Sequence, residues 1–167
     1  MKTSLLSFFI LFSVELNSQS IQENKLQAAI LYNIVKYIEW PISDSNDFEI
    51  FILGNDEVFD ALKANYEGKL IKNRKCSVKK VSSPSEASPN SVLYIGRGKS
   101  RDFELAKTLA GNRSWLTITE NEAWGKKGSC VNFVVIDGKL KFELNRSALT
   151  TSNLKASGAL TSMAIII

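Results

Sequence analysis

Three short and nearly uninterrupted apolar runs, Phe48 to Leu53, Ser91 to Ile95 and Trp115 to Thr119, limit what this chain can fold into. A strand that is apolar on both faces must be covered on both faces, which is the condition of a parallel sheet packed between helices. Each of the first two runs leads through glycine into a helical pattern. Gly54 and Asn55 precede Val58, Phe59, Leu62 and Tyr66, and Gly96 to Ser100 precede Phe103, Leu105, Ala106 and Leu109. These are βα units. Asp56 is placed to cap the first helix, which ends at Glu67 and Gly68, and Gly111 with Asn112 ends the second.

The remaining segments fill out the same architecture. Gln22 to Trp40 reads as one helix with a polar stripe of Gln22, Lys25, Asn33 and Lys36, leaving Leu26, Ala29, Ile30, Ile34, Tyr37 and Ile38 to pack. Pro41 ends it, because proline has no amide donor and disfavours helical geometry at Trp40. Ser43 to Asp47 turns into the first strand. Arg74 to Val81 alternates as a half-exposed strand at the sheet margin, and Ser82 to Asn90, with two prolines and four serines, is a turn-rich connection. Glu120 to Gly128 is a loop or a single helical turn around Trp124.

Asp137-Gly138 is the strongest hairpin signal in the chain. A two-residue turn there sets Val135 opposite Leu140, Phe133 opposite Phe142 and Val131 opposite Leu144, with Asn132 and Glu143 paired on the other face. Beyond it come a polar loop around Thr150 to Ser152, a helical repeat through Leu154, Leu160 and Met163, and a β-prone Ile165 to Ile167. The expectation is an α/β fold: a mixed, mainly parallel sheet of five or six strands flanked by helices in a Rossmann-like three-layer arrangement, with a C-terminal antiparallel hairpin.

Lys2 followed by the apolar run Leu5 to Val14, with the small residues Ser18 and Ser20 behind it, reads as a secretory signal peptide over residues 1–20, cleaved after one of those serines. An apolar core of that length is far short of the roughly 20 residues that cross a bilayer. Residues 21–167 then form one domain, soluble and outside the cytoplasm. Its net charge stays at +4, because the removed piece carries one lysine and one glutamate. The basic residues fall in small knots, among them Lys72 to Lys75 and Arg97 to Arg101, interspersed with acids. Nucleic-acid binding, which needs a continuous basic face, is not expected.

With no histidine in the chain, the commonest general base and most transition-metal sites are excluded, and no catalytic residue, metal or cofactor is assigned. Gly96-Arg97-Gly98-Lys99-Ser100, between a strand and a helix, is like the tail of a phosphate-binding loop. The glycine that would open such a loop is replaced by Leu93, so Arg97, Gly98, Lys99 and Ser100 form at most a small anion site. The simpler reading has Ser100 capping the helix while Arg97, Lys99 and Arg101 stay solvated. Cys76 and Cys130, each on or beside a strand, could form a disulfide in an oxidising compartment or remain a buried reduced pair. Trp115 suits the core, whereas Trp40 and Trp124, at a helix end and in a loop, suit partial exposure and recognition.

From Leu26 to Ala164 the chain resembles the YfiR-like family of small bacterial periplasmic proteins. The segment Lys36-Tyr37-Ile38-Glu39-Trp40-Pro41 and the segment Phe142-Glu143-Leu144-Asn145, preceded by Lys141, carry the resemblance, in this order and after a signal peptide. They are joined by Ala28-Ala29, Leu31-Tyr32-Asn33, the strands Phe48 to Gly54 and Val92 to Gly96, Leu116 to Thr119, Gly128 and Leu154-Lys155. The family usually has a cysteine where this chain has Ser91, so its disulfide arrangement does not carry over. The resemblance implies a noncatalytic signalling regulator in the periplasm. Such a regulator binds the periplasmic domain of an inner-membrane signalling protein, such as a diguanylate cyclase, and inhibits or tunes it. Trp40, Pro41 and Trp124 are the partner-binding choices. The alternatives are a periplasmic sensor module for a small anion, received at the Gly96 to Ser100 turn, and a structural homodimer.

Overall fold

The computed structural model describes residues 21–43, 45–111 and 113–167. The expected signal peptide and the Asn112 helix terminator lie outside the described residues. Residues 21–36 are helical (α1), and the chain continues through β1 (Ile38–Glu39), β2 (Asp47–Leu53), α2 (Asp56–Tyr66), β3 (Leu70–Ile71) and β4 (Arg74–Lys80). A 3-10 turn, Pro84–Glu86, leads to β5 (Val92–Ile95), α3 (Ser100–Ala110), β6 (Leu116–Thr119), and the hairpin of β7 (Val131–Ile136) and β8 (Lys139–Leu144). The end of the chain holds α4 (Arg146–Thr151), β9 (Lys155–Ala156), α5 (Gly158–Met163) and β10 (Ile165–Ile166).

The main sheet has the order β10-β8-β7-β6-β5-β2-β4-β3, and β1 pairs with β9 apart from it. Strands β4, β2, β5, β6 and β7 are parallel neighbours in turn, while β3 and β8 run antiparallel to β4 and β7. The mixed, mainly parallel α/β sheet expected from the apolar runs is therefore present: six longer strands are extended by the two-residue edges β3 and β10. The hairpin has the register that Asp137-Gly138 dictates, with Phe133 opposite Phe142 and Asn132 opposite Glu143.

The apolar runs bury both faces by simple alternation. In β2, Phe48, Ile50 and Ile52 enter one core cluster with Leu31 and Ile34 of α1, Val58 and Leu62 of α2, Leu149 of α4 and Leu160 of α5. Phe51 and Leu53 point the other way, into a cluster with Leu93, Ile95, Trp115, Phe103 and Ala106 of α3, and Trp124. This gives the three layers.

Several local expectations need correction. The first helix stops at residue 36, and Ile38-Glu39 instead pairs with Ala156 and Lys155. Its packed face is Gln27, Ala28, Leu31, Ile34 and Val35, while Leu26 and Tyr37 are exposed. The cap of α2 is Asn55, whose side chain accepts from the Val58 amide at 3.0 Å, and Asp56 lies inside the first turn. Ser100 is likewise inside α3 and does not cap it. The polar stretch at Thr150 is helical. Asn145 caps it, and Thr150 and Thr151 bond back to the carbonyls of Arg146 and Ser147, so their hydroxyls no longer compete with the helix.

Cys76 and Cys130 are both free and buried. Cys76 is on β4 and Cys130 immediately precedes β7, so β2, β5 and β6 stand between them. Four steps of about 4.8 Å place the pair far beyond disulfide reach. The disulfide that export allowed is not formed.

Candidate functional site

The chain order of the central strands creates a crevice. From β2 the chain crosses through α2 to β4 on one side, and from β5 it crosses through α3 to β6 on the other. These two helices feed opposite cores, Val58 and Leu62 in one and Phe103 and Ala106 in the other. Where neighbouring parallel strands send their connections to opposite faces, the strand ends part and leave room for a ligand. A cleft of about 550 Å³ lies there, lined by Gly54 and Asn55 after β2, Arg97 after β5, Glu120 after β6, and Glu23 and Asn24 from α1.

The glycines make this close approach. Gly96 donates its amide to the Leu53 carbonyl at 2.8 Å, and a Cβ on Gly96 would lie 2.6 Å from the Gly54 carbonyl oxygen. Gly54, at φ +80°, leaves the space that the Lys99 stem occupies.

Glu120 is the hub of the cleft floor. Its side chain is almost fully buried and accepts from Asn55 Nδ2 at 3.0 Å, the Arg97 amide at 3.1 Å and Gln27 Nε2 at 3.3 Å. Below it Tyr94 donates to Gln27 Oε1 at 2.7 Å. Burial first, and then the neighbouring Glu120 carboxylate, push the Tyr94 hydroxyl well above its ordinary pKa, so it stays a donor. Asn55 also donates to Asn24 at 3.1 Å, and Asn24 donates to Glu57. Arg97 spans the mouth, with Nη2 at 3.4 Å from Glu23 and Nε donating to the Glu120 carbonyl at 3.2 Å.

This arrangement changes the reading of the Gly96 to Ser100 turn. Arg97 is already engaged by two acidic residues, its amide is taken by Glu120, and Lys99 lies over Gly54. Asp56 and Glu57 add further negative charge to the wall. The cleft is acidic, so an anion would meet repulsion where the glycine motif suggested welcome. The turn motif does lead to the cleft, but Gln27, Asn55, Tyr94 and Glu120 were missed. Asn55, Arg97 and Glu120 all stand just past strand C-termini, and that position was the available signal. Gln27, on the packed face of an otherwise apolar helix, had no local one.

The aromatic choices divide. Trp124 is only 4% exposed and stacks on Phe103 at 4.6 Å, so it belongs to the second core, and the exposure expected of it is not found. Trp40 is half-buried, edge-on to Phe48 at 5.0 Å, with Nε1 donating to the Val35 carbonyl at 3.2 Å. With Pro41, Ile42, Lys72 and Arg74 it lines a second cleft, of about 490 Å³, at the opposite end of the strands. The other distinctive segment is structural. Glu143 accepts from Asn132 Nδ2 at 2.9 Å, and Asn145 both caps α4 and donates to the Gly125 carbonyl at 2.9 Å.

A layered α/β domain with a polar strand-end cleft and a tryptophan-proline corner is thus the class that fold and sites define. The chain belongs to the YfiR/HmsC-like family, whose model matches residues 24–165. No curated protein matches it in sequence. Among solved structures, a conserved domain protein of Vibrio cholerae superposes with a TM-score of 0.55 at 10% identity, over 86% of this chain and 59% of that one. The chain thus spans less than two thirds of that protein, and what the two share is the fold.

Proposed function

We propose that this chain is a noncatalytic periplasmic regulator that docks on the periplasmic part of a membrane signalling protein, with a diguanylate cyclase as the first choice, and holds it in one state. The family, one of periplasmic regulators, supports the general role. No helix among the described residues is long and apolar enough to cross a membrane. The observation that carries the docking site is the exposed corner of the Lys36 to Pro41 segment. Trp40 and Pro41 remain partly accessible in a cleft, while the Phe142 to Asn145 segment is committed to internal bonds. A partner that prefers one of two conformations shifts the balance by its difference in affinity. The test is the cyclic di-GMP content of cells lacking the chain. It rises and is restored by the full chain but not by residues 21–167 kept in the cytoplasm; an unchanged content removes the cyclase from the reading.

The strand-end cleft favours a second reading, a small-molecule sensor. Its acidic lining, Glu23, Asp56, Glu57 and Glu120 against Arg97, suits a cationic ligand better than the anion first expected. Calorimetric titration with a simple diamine and with phosphate separates the two: saturable heat from the diamine alone supports this reading, and saturable heat from phosphate alone restores the anion site.

A further inference from the structure

We infer that the β3–β4 hairpin and the adjoining Ile42 loop form a docking face for an anionic lipid surface. Residues 69–75 contain Lys69, Lys72, Arg74 and Lys75 and no acid. Among the described residues none of these four has a carboxylate within ion-pair distance, whereas Lys63, Lys79, Lys80, Lys107 and Lys155 each have one. Lys69 and Arg74 instead lie over the rings of Tyr66 and Phe48, at 5.2 and 4.7 Å, contacts that orient a cation without neutralising it. The acids nearest in the sequence are Glu39, paired with Lys155, Asp44, Asp47, level with Lys75 in the sheet, and Glu67, paired with Lys63.

The same tip carries the two most exposed large hydrophobic residues among those described. Ile42 is 97% exposed and Leu70 is 64% exposed. Ile42 shares a cleft rim with Lys72, Asn73 and Arg74, and Leu70 pairs across the hairpin with Lys75. Lys72 and Asn73, at φ 51° and 64°, make the tight turn between them. Separate aliphatic tips that protrude, ringed by cations that no described carboxylate pairs, suit shallow insertion between anionic headgroups. A protein partner would more naturally meet a continuous apolar groove. The face lies beside the Trp40-Pro41 corner, so lipid contact would hold that corner at the membrane surface, yet it needs no protein partner to occur.

The test is sedimentation of the purified mature chain, residues 21–167, with phosphatidylcholine vesicles, with and without phosphatidylglycerol, at low and high salt. Binding is expected only with phosphatidylglycerol, and weaker at high salt. Lys72→Glu with Lys75→Glu lowers the partition coefficient by roughly twenty-five-fold or more, at about fivefold for each cation removed. Ile42→Ser lowers it severalfold and leaves the salt dependence in place. The inference is overturned by failure to bind phosphatidylglycerol vesicles at low salt, or by folded variants that bind like the parent. Equally tight capture on polyglutamate, indifferent to Ile42→Ser, overturns it in favour of an acidic protein. Because the vesicles contain no protein, either result leaves the cyclic di-GMP test independent.

Discussion

Asn55 shows how much one side chain decides here. It accepts from the Val58 amide to cap α2 and donates into the cleft to Glu120 and Asn24. Asn55→Ala removes both and leaves a buried carboxylate short of a donor, so it should lower unfolding free energy by about 2 kcal/mol in urea titration. Asp56→Ala, next to it, removes only an exposed pair with Lys80 and should stay within about 0.5 kcal/mol. Equal losses would mean that the cap belongs to Asp56 after all. Two other carboxylates set the acid limit. Burial works to raise Glu49 and Glu67, but Lys79 and Ser88 beside the first, and the Val78 amide and Lys63 beside the second, hold both below the ordinary value. A depressed folded pKa contributes stability that is complete above the unfolded pKa and is lost as pH falls through the folded one. Glu49→Gln with Glu67→Gln should therefore flatten the stability loss between about pH 5 and 3, as followed by urea midpoints. The thiols behave oppositely. Burial first, then Glu67, pushes Cys76 to about 11, and burial raises Cys130. Neither should react with a thiol reagent in the native state, and both should react in denaturant; fast native labelling would contradict their burial.

Elements were readable in the sequence to the extent that their signals were local. Phe48 to Leu53 and Val92 to Ile95 could only be buried strands, and Asp137-Gly138 fixed a register that the hairpin keeps. Asp137 and Gly138 both have positive φ, at 52° and 69°, so Gly138→Val should cost about 1–2 kcal/mol and loosen amide protection in β7 and β8 specifically. What failed to be legible depended on distant partners. Ile38-Glu39 left the helix because Lys155-Ala156, over a hundred residues on, offers a strand, and Leu26 stays half exposed on the rim of an open groove that it shares with Val135 and Leu140 of the hairpin. Trp124 sits in the turn expected of it, but it is buried there because Phe103 of α3 forms its floor. The strand-end cleft was half legible: its glycine turn stood out, but the acidic residues that reverse its charge preference come from α1, the start of α2 and the residue after β6, and meet only in the fold.

At the scale of the whole molecule, the parallel sheet separates two surfaces. The acidic cleft is at the strand C-termini, and the tryptophan-proline corner and basic hairpin are at the other end. The sheet between them is held by close backbone contact at Gly96. Gly96→Ala would put a Cβ at 2.6 Å from the Gly54 oxygen, so it should destabilise the fold by about 1–3 kcal/mol and open the cleft without touching the corner. If the proposed function holds, the tryptophan-proline corner meets a membrane protein outside the cytoplasm. In-cell crosslinking from a photoreactive residue placed at Ser43, on the cleft rim, tests it, with a second probe at Glu104 on the exposed side of α3 as the control. The expected result is an adduct from position 43 with an integral membrane protein that has a periplasmic domain, and none from position 104. Identical adducts from both positions, or adducts with cytosolic proteins only, would contradict it.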